Sequence, residues 1–175
     1  MGRIYVKRVV IVSMFSALIA AGAFIKIPLP PVPITLQTLF VLICGLLLPL
    51  KLSLSSLLVY LFLGIVGLPV FTSGGGIAAF TGPTGGYMVG MIPAVVALSF
   101  FRKSGKVRSY AAGCFVATLL IYIPGLLWLK HSLNLDWVKT ILSGLVPFIA
   151  GDVIKIAVAS VTAASLREKA ENALK

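Results

Sequence analysis

Only four of the 175 residues are acidic, and one of them, Asp152, stands inside a long apolar run with Lys155 three positions on. In a helix, i, i+3 spacing places both side chains on one face. Insertion scales set an ionisable group at mid-membrane at about 3 kcal/mol, so such groups face a cavity, a partner or a ligand. Mutual neutralisation as an ion pair is the plainer alternative. A buried pair gains little over an apolar one, however, which favours a ligand-handling role. Pro147 and Gly151 just upstream predict a kinked or locally opened helix that presents free backbone groups beside the pair.

Further candidates surround two other stretches. Thr35, Gln37 and Thr38 open an apolar run directly after a proline-rich link, and Gln37 is the sole glutamine in the chain. Helix capping explains the threonines equally well, the bulkier Gln37 less so. Gly74, Gly75 and Gly76 precede Gly82-Pro83-Thr84-Gly85-Gly86-Tyr87. Glycine there permits either close backbone approach to a ligand or merely sharp turns. The stretch lacks the Gly-Lys-Ser/Thr ending of a P-loop, and Gly74-x-Gly76-x-x-Ala79 lacks a strand-to-helix context, so nucleotide binding is set aside. Phe71, Phe80 and Tyr87 can stack on a flat ligand, although aromatic residues also mark membrane interfaces. His131 has no partner in sequence, and Cys44 and Cys114 read as packing residues rather than a disulfide or zinc site. Paired carboxylates, a nucleophile beside a base, a metal-ligand cluster and an ATP-binding loop are all missing. The expectation is a binder, not an enzyme, with no cofactor of its own.

The elements that must position these residues follow from composition. Hydrophobic residues make up 59% of the chain and charged ones 11%, with a mean hydropathy of +1.11. No soluble core hides that much apolar surface, so the fold class is all-α: one polytopic membrane domain over residues 1–175. Net charge is +11, but the basic residues fall between apolar runs, which suits membrane loops and argues against nucleic acid. Six transmembrane helices are expected near Val9–Ile25, Thr35–Leu50, Leu52–Leu68, Tyr87–Phe101, Tyr110–Trp128 and Thr140–Ala164, with Lys51 the weakest boundary. The basic start followed by Ala21-Gly22-Ala23 imitates a secretion signal, yet everything downstream is equally apolar, so it is kept as the first span.

Of the 15 Lys and Arg, only Lys26, Lys130 and Lys139 fall on one side and Lys155 within a span, leaving 11 on the other. That asymmetry places both termini in the cytoplasm and requires an even number of spans. Outside, Ile27-Pro28-Leu29-Pro30-Pro31-Val32-Pro33 predicts a stiff extended link. The uncharged loop Gly67–Gly86, between the third and fourth helices, is too apolar to extend into water and is expected to fold back as a lid. Ser13, Ala17 and Ala21, spaced by four, form a small-residue stripe that suits either packing within the bundle or docking of another membrane protein.

Four stretches carry a resemblance that covers nearly the whole chain. They are Val32-Pro33-Ile34-Thr35-Leu36-Gln37-Thr38, Gly67-Leu68-Pro69-Val70-Phe71 with the glycine triplet, Phe80 to Tyr87, and Gly151-Asp152-Val153-Ile154-Lys155. In these the sequence resembles the biotin-specific substrate-binding subunits (S components) of energy-coupling-factor transporters. The resemblance implies a high-affinity outward-facing biotin pocket in a multi-pass plasma-membrane protein. It also implies partnership with a transmembrane coupling (T) subunit and two ATPases that hydrolyse ATP elsewhere. By the same resemblance, Asp152 and Lys155 match the polar pair of the pocket, and Ala17 and Ala21 match the small-residue motif that docks the coupling subunit. Gln37, Thr35, Phe71, Gly74, Gly75, Gly76, Phe80 and Tyr87 complete the expected biotin contacts. Two rivals stand beside this reading: an S component for a different vitamin, and an intramembrane lipid-modifying enzyme.

Overall fold

The computed structural model describes residues 2–174. Its long helices are α1 (Gly2–Phe24), α2 (Gln37–Leu47), α3 (Leu50–Ile65), α5 (Gly85–Phe101), α6 (Val107–Leu133) and α8 (Ile149–Leu174). Two short helices, α4 (Ile77–Phe80) and α7 (Trp137–Gly144), lie in connections. Four stretches are long and apolar enough to cross a membrane: Ile4–Phe24, Gly85–Ser104, Val107–Leu133 and Trp137–Asn172. The apolar helices α2 and α3 are shorter. At 1.5 Å per residue the 11 residues of α2 span about 17 Å, well short of a hydrocarbon core, so neighbouring helices must shield its ends.

The long helices alternate in direction between two ends. At the basic end, the Arg102 guanidinium donates to the Leu47 carbonyl (3.2 Å) and to Glu171 (3.3 Å). Arg167 donates to Glu171 (3.3 Å) and to the Tyr110 hydroxyl (3.3 Å), which itself donates to the Arg102 carbonyl (3.3 Å). The network ties the α2 end, the α5–α6 turn and α8 together, giving the open carbonyl of Leu47 a partner it would otherwise lack. In the bundle interior α2 is apolar beyond Gln37 and Thr38, with Val41, Leu42, Cys44 and Leu46 buried. Facing it, α1 buries Phe15, Ser16, Ile19 and Ala23 while Ser13, Ala17 and Ala21 stay exposed. The Ser16 hydroxyl donates to the Ser56 carbonyl of α3 at 2.7 Å.

Several boundaries differ from the sequence expectation. The second and third spans separate at Leu48–Pro49 rather than at Lys51. Proline forces the preceding residue into extended geometry, and Leu48 adopts ψ 148. The last expected span, Thr140–Ala164, is not one helix. It breaks at Leu145 (φ −129, ψ −57), passes through a 3₁₀ turn at Val146–Phe148 and resumes as α8. Pro147 cannot donate to a helical carbonyl, so the kink expected there is a full interruption. Asp136 starts α7 by accepting the Lys139 backbone N–H at 2.8 Å, a bond that holds its carboxyl below the usual range.

The proline-rich link is a hairpin, not an extended spacer. Strands β1 (Lys26–Ile27) and β2 (Ile34–Thr35) pair antiparallel, Lys26 opposite Thr35. Pairing satisfies backbone groups that an extended link would leave to water, and the Leu36 N–H anchors the return to the Gly22 and Ile25 carbonyls (both 3.1 Å).

The loop after α3 folds back as expected, through an identifiable anchor. Phe71 is 2% exposed and meets Tyr60 edge to face at 5.5 Å. Its ring rests against Gly64, where a Cβ would overlap it. A bridge between Phe71 and Gly74, with Gly74 at φ +113, turns the chain so that the Gly76 N–H reaches the Gly64 carbonyl at 2.7 Å.

Candidate binding site

The site starts from the resumption of α8. Three residues into the helix, Asp152 projects into the bundle, and Lys155, one turn on, follows on the same face. Their side chains pair at 3.0 Å, with Lys155 6% exposed as a residue. The Tyr122 hydroxyl of α6 donates to the other carboxylate oxygen of Asp152. The carboxylate, with about four acceptor sites, thus receives one neutral and one charged donor. Lys155 uses one of its three N–H donors on Asp152.

Around this trio lies a partly open cavity. Asp152, Lys155 and Phe148 form one wall, and Thr118, Ile121 and Tyr122 of α6 the next. Gln37, Thr38 and Leu42 of α2 complete the lining with Tyr87, Met88 and Met91 of α5. The hairpin closes one side with Val32, Pro33 and Thr35, and the glycine-rich loop reaches the cavity through Thr72 and Thr84. Two bonds hold that loop in place: Lys26 of the hairpin donates to the Thr72 carbonyl at 2.6 Å, and the Trp128 indole of α6 donates to the Gly82 carbonyl at 3.0 Å.

The sequence-predicted residues divide into two groups. Asp152, Lys155, Gln37, Thr35 and Tyr87 line the cavity. Phe71, Gly74, Gly75, Gly76 and Phe80 do not. Phe71 is occupied by Gly64 and Tyr60, and Phe80 packs against Phe71 at 6.2 Å, so both belong to the loop's seat. Ala17 and Ala21 lie on α1, away from the cavity lining.

The lining groups have defined commitments. The Gln37 amide nitrogen donates to the Tyr60 hydroxyl at 3.0 Å and approaches the Met91 sulfur at 3.5 Å. Thr35 accepts the Gln37 backbone N–H at 3.3 Å, a local turn just ahead of α2; the N-cap itself is Leu36, without a side-chain cap bond, so Thr35 does not cap the helix. The Tyr87 hydroxyl donates to the Gly144 carbonyl at 2.9 Å, one of the backbone groups freed by the break before Pro147. Tyr87 consequently offers its ring rather than its hydroxyl, edge to face with Tyr122 at 6.0 Å. Thr38 differs from all of these: among the described residues its hydroxyl oxygen is the one buried side-chain N or O atom without a hydrogen-bond partner. A buried hydroxyl left open on a cavity wall is an invitation to a polar ligand.

Sequence reasoning missed Tyr122, Thr118, Met88, Met91 and Thr72. Tyr122 left a signal, being a hydroxyl-bearing aromatic at the middle of an apolar span just before Pro124. The methionines left none, since apolar residues in a membrane helix do not declare which face they occupy. Tyr122→Phe removes one donor to a buried carboxylate, and hydrogen bonds to charged groups are worth about 1.5–3 kcal/mol. The expected outcome is a lower midpoint of thermal unfolding in detergent, followed by tryptophan fluorescence; an unchanged midpoint would show that this bond contributes nothing.

Membrane helices that line a cavity with a buried ion pair, an open hydroxyl and aromatic walls define a polytopic membrane protein with an internal binding chamber. Comparison with known proteins narrows the class. The model of the BioY family matches residues 1–172. A probable biotin transporter BioY of Pyrococcus horikoshii is 40% identical over 162 residues, 92% of this chain and 96% of that one. The biotin transporter BioY of Thermotoga maritima is 36% identical over 164 residues, 93% of this chain and 96% of its own. A crystal structure of the S-component for biotin from an ECF-type ABC transporter superposes with a TM-score of 0.87 at 29% identity, covering 96% of this chain and 94% of that one. The chain belongs to the BioY family.

Proposed function

We propose that this protein is the high-affinity biotin-binding S component of an energy-coupling-factor uptake transporter in the plasma membrane. The observation that carries the reading is the Tyr122–Asp152–Lys155 cluster facing a partly open cavity lined by α2, α5, α6 and α8. Biotin has complementary chemistry: a ureido ring with two N–H donors and a carbonyl, an apolar thiophane and valeryl chain, and a carboxylate. The remaining acceptor positions of Asp152 suit the ureido N–H groups, and the remaining Lys155 donors suit the carbonyl or the carboxylate. Thr38 and Gln37 add polar contacts from α2, with Thr35 at the hairpin end. Tyr87, Met88, Met91 and Phe148 cover the sulfur-containing ring. Phe71, Phe80 and the triplet Gly74, Gly75 and Gly76 act indirectly, by seating the loop that carries Thr72 and Thr84.

With the basic end in the cytoplasm, the hairpin and the glycine-rich loop face outside, where biotin is captured. The loop closes over it as a lid. Binding needs no cofactor and no chemistry on the ligand; inward delivery draws on a transmembrane coupling subunit and two ATPases that hydrolyse ATP outside this chain. The exposed Ser13, Ala17 and Ala21 along α1 support docking of the coupling subunit, because small residues let a partner helix approach closely. Ala17→Leu with Ala21→Leu is expected to abolish co-purification with that subunit while biotin binding by the isolated chain persists. Assembly at the wild-type level would place the docking face elsewhere, and a competition panel of other vitamins would expose a wrong ligand assignment.

A further inference from the structure

One feature of the fold lies apart from the binding chamber. On α5 and α6, Ile92, Pro93, Val96, Ala97, Phe100, Phe101 and Val116 line a shallow, open apolar groove. From Ile92 to Phe101 it runs about 14 Å along α5. The groove ends at the tight turn Arg102–Ser104 and Gly105 that leads into α6. Lys103, Lys106 and Arg108 are exposed on that turn and the first residues after it, and among the described residues none of them pairs with a carboxylate. Arg102 is different, being committed to Glu171 and to the Leu47 carbonyl.

We propose that this groove and the adjoining basic turn form a binding site for one anionic glycerophospholipid of the phosphatidylglycerol type. Any membrane helix touches acyl chains, so the cations next to the apolar track are what distinguish this place. Here a shallow apolar track ends at Phe101, next to the turn that carries three unneutralised cations, which matches the two halves of an anionic lipid: acyl chain along Pro93, Val96 and Ala97, phosphate at Lys103, Lys106 and Arg108. Charge complementarity selects this occupant over a second copy of the chain, which would bring a second set of the same cations to the same turn.

The test is native mass spectrometry of the detergent-purified protein offered dioleoylphosphatidylglycerol and dioleoylphosphatidylcholine at equal concentration. Wild type is expected to retain the anionic lipid about tenfold more, since each surface cation adds appreciably to anionic-lipid attraction. The preference is expected to vanish in Lys103→Ser/Lys106→Ser/Arg108→Ser and to fall with rising salt in wild type, a readout that does not depend on the variant folding. Ala97→Trp, which fills the groove, is expected to reduce retention while leaving the cations in place. Equal retention of the two lipids by wild type, or a preference insensitive to salt, would overturn the proposal. So would efficient cross-linking between two copies through Phe100→Cys in vesicles, which would mark the groove as a contact between copies.

Discussion

Asp152→Ala and Lys155→Met, each made alone, are expected to weaken biotin binding by about a hundredfold or more and to destabilise the protein. Each single change strands the opposite charge in a site where Lys155 is 6% exposed as a residue, and breaking a buried pair this way costs about 3–5 kcal/mol. Stability alone does not distinguish a ligand anchor from a structural pair; the double replacement does. In Asp152→Leu/Lys155→Met no charge is left unpaired, so the unfolding midpoint is expected to recover well above either single variant, short of wild type by what the lost Tyr122 bond contributes. Biotin binding is expected to stay absent, because both charge-assisted contacts are gone. A double variant that binds biotin as wild type would reduce the pair to mutual neutralisation.

Gly64→Val is expected to have the next largest effect, at a position outside the cavity lining. A Cβ at residue 64 would overlap the Phe71 ring, which already packs edge to face on Tyr60. Phe71 must leave its seat, losing the burial of a large aromatic side chain, about 3 kcal/mol or more. The disturbance has a short path to the cavity: Phe71 packs on Tyr60, whose hydroxyl accepts from Gln37, and the same loop carries Thr72 and Thr84. The variant is expected to release biotin at least tenfold faster and to expose residues 67–84 to protease and hydrogen exchange. Gly151→Ala is the matched control, since a Cβ there meets only Ile34 at 4.0 Å, and it is expected to behave as wild type. Normal release kinetics in Gly64→Val would show that the loop does not retain the ligand.

Much of this architecture is legible in the sequence because a bilayer constrains it severely. Apolar runs punctuated by basic residues correspond to the long helices, and the spacing of Asp152 and Lys155 alone places them on one face. Gly67–Gly86 carries no charge, which is why it packs onto the bundle. Illegibility begins where tertiary partners decide. Prolines 28 to 33 look extended because proline excludes helix, but the hairpin depends on pairing Lys26 with Thr35 across the gap. Pro147 announces a break without revealing that Tyr87, 60 positions earlier, captures a carbonyl the break sets free. Phe71 reads as a ligand-stacking ring until Gly64 is seen to make room for it. Tyr122 stayed hidden because its role exists only opposite Asp152, one helix away.

The most direct measurement is calorimetric titration of biotin into the detergent-purified wild-type chain without coupling subunit or ATPases. The expected result is saturable, tight binding of one biotin per chain, undisturbed by ATP and not reproduced by other vitamins. A folded chain, with its unfolding transition intact, that takes up no biotin would contradict the assignment of the Asp152–Lys155 cavity as a self-sufficient biotin receptor.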